Sequence, residues 1–244
     1  MKLIGFSFFM LLIGFTNLQA QGSCDTMQKK MKNGIFYQID CKGQTEEGIK
    51  NSKGKQGVWS KSRSRDGKLV SMETFYNNVL NGTSVYFSEE NTVSRTTVFV
   101  DGKRNGPERI FHTKGGGLKT LAYYSNDKLN GYRKQYFIDG TQEFVEQYKD
   151  AKKNGEQIYY YSNAQKAAIY TYAYGGKHGL ATFYNRNGYV TSMGNFISDK
   201  KSGPWKEYHD NGELSGMGEY TYGKKTGEWK TYNKRGEYLK IEKF

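Results

Sequence analysis

Along most of the chain, apolar and polar residues alternate with a period of two, as at Tyr170, Tyr172 and Tyr174 or at Gly218, Tyr220 and Tyr222. Successive strand residues point to opposite faces, so this alternation predicts β-strands, whereas a helical stripe needs spacings of three and four. The strands are short and punctuated. Asp66-Gly67, Asp139-Gly140, Asn187-Gly188, Asn211-Gly212 and Arg235-Gly236 fall between alternating segments, and such pairs supply the positive φ angles that tight hairpins require. A second turn is expected where Asn81-Gly82, Asn105-Gly106, Asn130-Gly131 and Asn154-Gly155 recur. Each unit therefore reads as strand, hairpin turn, strand, second turn.

The unit repeats about every 24 residues, with glycines at Gly34, Gly57, Gly82, Gly106, Gly131, Gly155, Gly179, Gly203 and Gly227. Five residues after most of them stands an aromatic: Phe87, Phe111, Tyr136, Tyr160, Tyr184, Tyr208 and Tyr232. The first two units depart, with Ile39 and Ser62 there. About seventeen residues after the glycines comes a second column: Phe75, Phe99, Tyr124, Tyr148, Tyr172, Phe196 and Tyr220. A fixed period of this length signals a repeat architecture in which each unit packs on its neighbours. The expected fold is all-β, an elongated array of antiparallel β-hairpin repeats forming a single extended sheet or ribbon. Both aromatic columns read as structural ladders, since cross-strand pairs of this kind contribute roughly 0.2 to 1 kcal/mol each.

Residues 1–20 are different material. Lys2, the uncharged apolar run Leu3 to Phe15, polar Thr16-Asn17 and small Ala20 have the layout of a secretory signal peptide, too short for a membrane anchor. The division is then a signal peptide at 1–20, an N-terminal segment at 21–33 and the repeat array at 34–244. The chain has two cysteines, Cys24 and Cys41. In an exported protein they read as one local disulfide. Lipidation of Cys24 behind the small Ser23 stays open as the rival, although Gln21 is not the usual aliphatic residue there and Cys41 would be left alone.

The stretch Gly203-Pro204-Trp205-Lys206-Glu207-Tyr208, then Asn211-Gly212-Glu213-Leu214 and Tyr220 to Gly227, is followed by Gly227-Glu228-Trp229-Lys230-Thr231-Tyr232 and Arg235-Gly236-Glu237-Tyr238. These units resemble the bacterial variant of the MORN repeat, a family that includes toxin-antitoxin system antitoxins of the YwqK type. The resemblance covers residues 34–244, about eight and a half units, and is strongest from Gly131 onward. Trp59, Trp205 and Trp229 occupy its tryptophan position, but Arg133, Gln157 and Ala181 stand there in middle units, and Arg63 and Arg65 interrupt an early strand. The resemblance implies protein scaffolding, in some cases contact with phospholipid membranes, and through the antitoxin label the binding of a toxin protein.

Composition agrees with a strand-and-turn chain: 30 Gly, 2 Pro, 21 Tyr, 14 Phe and 3 Trp, with a mean hydropathy of -0.84. So many aromatics exclude a disordered tail. The net charge is +13, which suggests an anionic partner. The excess is placed, since cations recur just before the repeat glycines: Lys53 and Lys55, Lys103 and Arg104, Lys128, Lys152 and Lys153, Lys177, Lys200 and Lys201, Lys224 and Lys225. In register these form a cationic rail along one edge. From Lys103 onward they are the candidate binding surface, against the plainer reading of a solubilising rim that blocks edge pairing.

Chemistry-bearing constellations do not emerge. His112, His178 and His209 are far apart in the repeat order, and no H-E-x-x-H, paired C-x-x-C, Walker A or G-x-S-x-G pattern occurs. Gly115-Gly116-Gly117 falls at a hairpin turn before a strand rather than at a helix start. Glu89 and Glu90 on adjacent strand positions would face opposite ways. Asn81-Gly82-Thr83 is a formal glycosylation sequon, but its Asn-Gly pair recurs in other units for turn reasons, which makes the match incidental. The expectation is a protein that is not an enzyme, with no cofactor and no metal. It reads as an exported β-repeat scaffold, periplasmic, outer-envelope-associated or secreted, with no transmembrane segment after signal removal. Its partner would be a protein, an anionic envelope polymer or a lipid surface, with no nucleic acid expected. The resemblance adds the alternative of a toxin-neutralising antitoxin or immunity protein.

Overall fold

The computed structural model describes residues 24–32 and 34–244; the stretch 1–20, read as a signal peptide, lies outside them. Every helix or strand among the described residues is a strand, and all 21 strands belong to one sheet. Each strand pairs antiparallel with its neighbours in the chain, giving a single meander. Val79–Leu80 and Lys152–Lys153 are the first parts of strands that resume at Gly82–Phe87 and Gly155–Tyr160. The sheet is open, an elongated array of hairpins. Asp25–Met31, inside the stretch set apart as an N-terminal segment, is already a strand of it and pairs with Gly34–Cys41. A disulfide joins Cys24 to Cys41, Cα atoms 4.6 Å apart, across the mouth of this hairpin.

The two edges of the ribbon carry different turns. On one, the loops run through the expected Asp-Gly and Asn-Gly pairs: Phe137 N donates to Thr141 O and Gly140 N to Phe137 O. Gly140, Gly188, Gly212 and Gly236 take φ of +86°, +87°, +91° and +79° there. On the other, the turns are two residues long, and from Asn77 onward both residues have positive φ: Asn77-Asn78, Asp101-Gly102, Asn126-Asp127, Asp150-Ala151, Tyr174-Gly175, Ser198-Asp199 and Tyr222-Gly223. This is the type I′ geometry whose twist matches that of paired strands.

The Asn-Gly pairs expected to close the second turn do not lie in it. Gly82, Gly106, Gly131 and Gly155 sit in strands at φ between +92° and +121°. Pairing jumps there, for example from Phe99↔Arg104 to Thr97↔Glu108 around Gly106. The repeat glycine is thus a bulge residue, needed because the extra residues force a left-handed backbone.

The aromatic columns also separate. An unbroken chain of rings runs along one face: Trp229 to Tyr220 at 5.4 Å, Tyr220 to Trp205 at 5.7 Å, Trp205 to Phe196 at 5.5 Å, Phe196 to Tyr170 at 6.3 Å, Tyr170 to Tyr159 at 5.9 Å and Tyr159 to Phe144 at 6.0 Å. The second expected column contributes Phe196 and Tyr220. The first does not join, and its neighbours Tyr159 and Phe183, four residues after the glycine, do so instead. The Tyr208 and Tyr232 hydroxyls reach the Met193 and Met217 thioethers at 3.6 and 3.8 Å. Strand alternation puts these methionines, each one residue before a glycine under an indole, on the opposite face.

Candidate binding surface

Trp59, Trp205 and Trp229 are buried two residues after their bulge glycines. Each indole lies flat over a glycine eleven residues upstream. A Cβ on Gly48, Gly194 or Gly218 would stand 2.5, 2.4 or 2.6 Å from ring carbons. Each indole N–H donates to a backbone carbonyl ten residues back: Ile49 at 3.0 Å, Asn195 at 3.1 Å and Glu219 at 3.2 Å. The bulge glycines of these three units, Gly57, Gly203 and Gly227, have φ of +65° to +70°, distinct from the values where tryptophan is missing.

In the middle of the ribbon the same column is polar. Gln157, fully buried, replaces the indole by an amide: its Nε2 donates to Gln147 O at 3.0 Å, again ten residues back, and its Oε1 accepts from Gln147 N at 3.2 Å. Opposite lies Glu146, 3% exposed. Its carboxylate takes an ion pair from Arg133 at 3.1 Å and from Lys153 at 2.7 Å, and hydroxyl donors from Tyr159 at 2.8 Å and Tyr148 at 2.9 Å. Burial works to raise the Glu146 pKa, but the hydrogen bonds from Lys153, Tyr159 and Tyr148 outweigh it and hold the group below the usual carboxylate range. Burial pushes Tyr159 up to about 12. Burial opposes the charge on Lys153, and its bonds to Glu146 and Tyr159 more than offset this, raising its pKa. The sequence puts Gln157 at the tryptophan position but assigns no role to it or to Glu146. The usable signal was the position eleven residues before the tryptophan site, glycine where tryptophan follows and Glu146 where Gln157 does.

The cationic rail is one edge, as expected, but it is two rows rather than one. After five of the seven type I′ turns on this edge stands an outward lysine, Lys103, Lys128, Lys152, Lys200 or Lys224, all exposed, while Val79 and Gly176 follow the other two. The next residue is half-buried and folds back over the ring ladder. Lys55 lies 4.3 Å from the Trp59 ring centre, Arg104 3.9 Å from Tyr124, Lys153 5.3 Å from Tyr172, Lys177 4.4 Å from Tyr170, Lys201 4.0 Å from Trp205 and Lys225 3.8 Å from Trp229. Cations stacked on rings in this way are attracted by the ring quadrupole and cover apolar surface with their stems. Burial, with Lys225 nearby, lowers the Lys201 pKa.

Of the ten cations in the candidate surface, Arg104, Lys153, Lys177, Lys201 and Lys225 are therefore engaged inside the molecule, and five remain free to meet a partner. Their spacing is set by the turns. The second turn residue of each unit donates its N–H to the carbonyl of the stacked cation or its equivalent one unit earlier: Asp127 to Arg104, Ala151 to Leu129, Gly175 to Lys153, Asp199 to Lys177 and Gly223 to Lys201, at 2.8 to 3.1 Å.

Other candidates stay apart. His112 Nε2 and His209 Nε2 hydrogen-bond the Tyr136 and Tyr232 carbonyls at 3.2 and 2.9 Å on the loop edge, and His178 is exposed. Glu89 and Glu90 lie in a loop, not on adjacent strand positions, because Ser88 turns the chain there by accepting from Glu90 N. Among the described residues no group of three or more His, Cys, Asp or Glu side chains could hold a metal ion, and no helix is long and apolar enough to cross a membrane.

Fold and edge together define an open, single-sheet β-hairpin array with a charged turn edge. No protein-family model matches the chain and no curated protein matches it, so the MORN-type resemblance rests on the residues themselves.

Proposed function

We propose that the protein is a non-enzymatic, exported scaffold that binds an anionic envelope component or an acidic protein surface along its type I′ turn edge. The observation that carries this reading is the division of the cations. One row is spent on the ring ladder, and a second row, Lys103, Lys128, Lys152, Lys200 and Lys224, is held outward with nearly one cation per unit. Antiparallel strands lie about 4.8 Å apart, so successive units advance roughly 10 Å, near the Debye length at 0.1 M salt. Such a row acts additively on an extended polyanion and weakly on a small anion.

The test is binding to poly-L-glutamate across a salt series. The expected result is an affinity that falls steeply as salt rises, and a slope that shrinks when Lys152, Lys200 and Lys224 are changed to Gln. Salt-independent binding, or an unchanged slope in that variant, would overturn the reading.

A further inference from the structure

Two of the seven type I′ turns on this edge break the chemistry of the others; an eighth, Lys42-Gly43, lies on the loop edge. The first turn position needs φ near +50°, and five turns fill it with Asn77, Asp101, Asn126, Asp150 and Ser198, small polar residues. Asn and Asp tolerate this region well. The remaining two carry Tyr174 at +53° and Tyr222 at +51°. A bulky aromatic in the left-handed region is strained, and such strain persists where something else requires it. Packing does not require it here, because Tyr174 is 89% and Tyr222 81% exposed. They stand two units apart on the edge that bears the free lysines.

Both turns are tied to the unit before in the same way: Gly175 N donates to Lys153 O and Gly223 N to Lys201 O, each at 2.9 Å, next to the outward Lys152 and Lys200. Lys200 Nζ is 5.9 Å from the Tyr222 ring centre. A hollow of about 520 Å³ opens at Tyr222, lined by Lys200, Ser202 and Thr221, and one of about 460 Å³ at Tyr174, lined by Lys177, His178 and Asp199. Both sites are thus an exposed ring at a shallow hollow, one unit along from an outward lysine; Lys200 stands beside the Tyr222 ring, and Lys152 holds the equivalent place in the unit before Tyr174.

We propose that Tyr174 and Tyr222, with Lys152 and Lys200, are two subsites for successive segments of a linear acidic polysaccharide of the uronic acid type. The rings take the C–H faces of sugars, and the lysines their carboxylates. This rests on the proposed function and names its partner. A lipid surface fits less well, since the other five turn tips offer Asn, Asp and Ser rather than side chains that insert. Single-stranded nucleic acid also uses rings beside cations, but the leader at residues 1–20 directs the reading to a polymer outside the cytoplasm.

The experiment compares the purified wild-type protein with the variant Tyr174→Asn/Tyr222→Asn. Probes are oligogalacturonate, poly-L-glutamate of equal carboxylate number and oligothymidylate, all at one salt concentration. Asn is the residue the turn prefers, so the variant should unfold at the same temperature or higher. The expected result is that wild type prefers oligogalacturonate to poly-L-glutamate by about tenfold or more, as two stacked rings would give. The variant should lose that margin and bind poly-L-glutamate unchanged. Equal binding of the two polymers by wild type, or a margin that survives in the variant, overturns the inference but not the cationic edge. Preference for oligothymidylate that vanishes with the tyrosines replaces the sugar by nucleic acid. Binding to none of the three overturns both readings.

Discussion

Gly194→Ala is a one-carbon change whose outcome depends on a single partner. Gly194 has no positive φ, so alanine meets no backbone strain, but its Cβ would stand 2.4 Å from the Trp205 ring. Trp205 is 1% exposed and held by its bond to Asn195 O and by Phe196, Tyr220 and Lys201 around it, so it has nowhere to retreat. Overpacking of this kind costs about 1 to 3 kcal/mol. Trp205→Ala alone should cost about 3 to 5 kcal/mol from the lost indole. In that background Gly194→Ala fills empty space, and relief from glycine in mid-strand should stabilise by about 0.5 to 1 kcal/mol. The double-mutant cycle therefore predicts a coupling of about 1.5 to 4 kcal/mol. Urea unfolding gives the global value, and hydrogen exchange over Val190–Ile197 and Lys200–Tyr208 reports the local one, which matters where cooperativity along an array is incomplete. If Gly194→Ala destabilises equally in both backgrounds, the indole does not select glycine and the packing argument fails.

Glu146→Gln should destabilise by about 2 kcal/mol, below the 3 to 5 kcal/mol of a fully buried pair because Arg133 and Lys153 still reach solvent. Since folding lowers the Glu146 pKa, its contribution is complete above the ordinary carboxylate range and is lost as pH falls through the folded value. The wild-type minus variant difference in urea stability should accordingly shrink on acidification, and a difference that grows would contradict the assignment. Changing Cys24 and Cys41 to Ser should cost about 3 kcal/mol by loop-closure entropy. In a ribbon of neighbour contacts, hydrogen exchange should then rise in Asp25–Met31 and Gly34–Cys41 while the ladder around Trp205 is unaffected.

The repeat, the strands and the charged edge were legible because each leaves a mark at fixed spacing: the glycine about every 24 residues, the alternating tyrosines, the lysines before most of the repeat glycines. The roles of those residues were less legible. Asn-Gly marks a turn and a bulge alike, and only the jump in pairing shows that Gly106 is a bulge. Strand parity after a bulge cannot be counted from one end, so Tyr208 was grouped with the ladder although its neighbour Glu207 shares the indole face by alternation. Adjacent lysines read as one cluster, yet alternation sends Lys200 outward and Lys201 onto Trp205. The Glu146 cluster was hidden because its members come from three strands and from different columns, Tyr148 from the aromatics, Arg133 from the tryptophan position and Lys153 from the rail, and only the pairing of strands brings them together.

The division of the cationic edge is the claim from which the functional reading follows, and two variants of equal charge test it. In one, Lys103, Lys152, Lys200 and Lys224 become Gln; in the other, Lys55, Lys177, Lys201 and Lys225 do. Each is titrated with poly-L-glutamate at fixed salt beside a urea melt. The first should lose most of its affinity and keep its stability, and the second should lose stability while the folded protein still binds. An outward-row variant that binds as tightly as wild type would contradict the account.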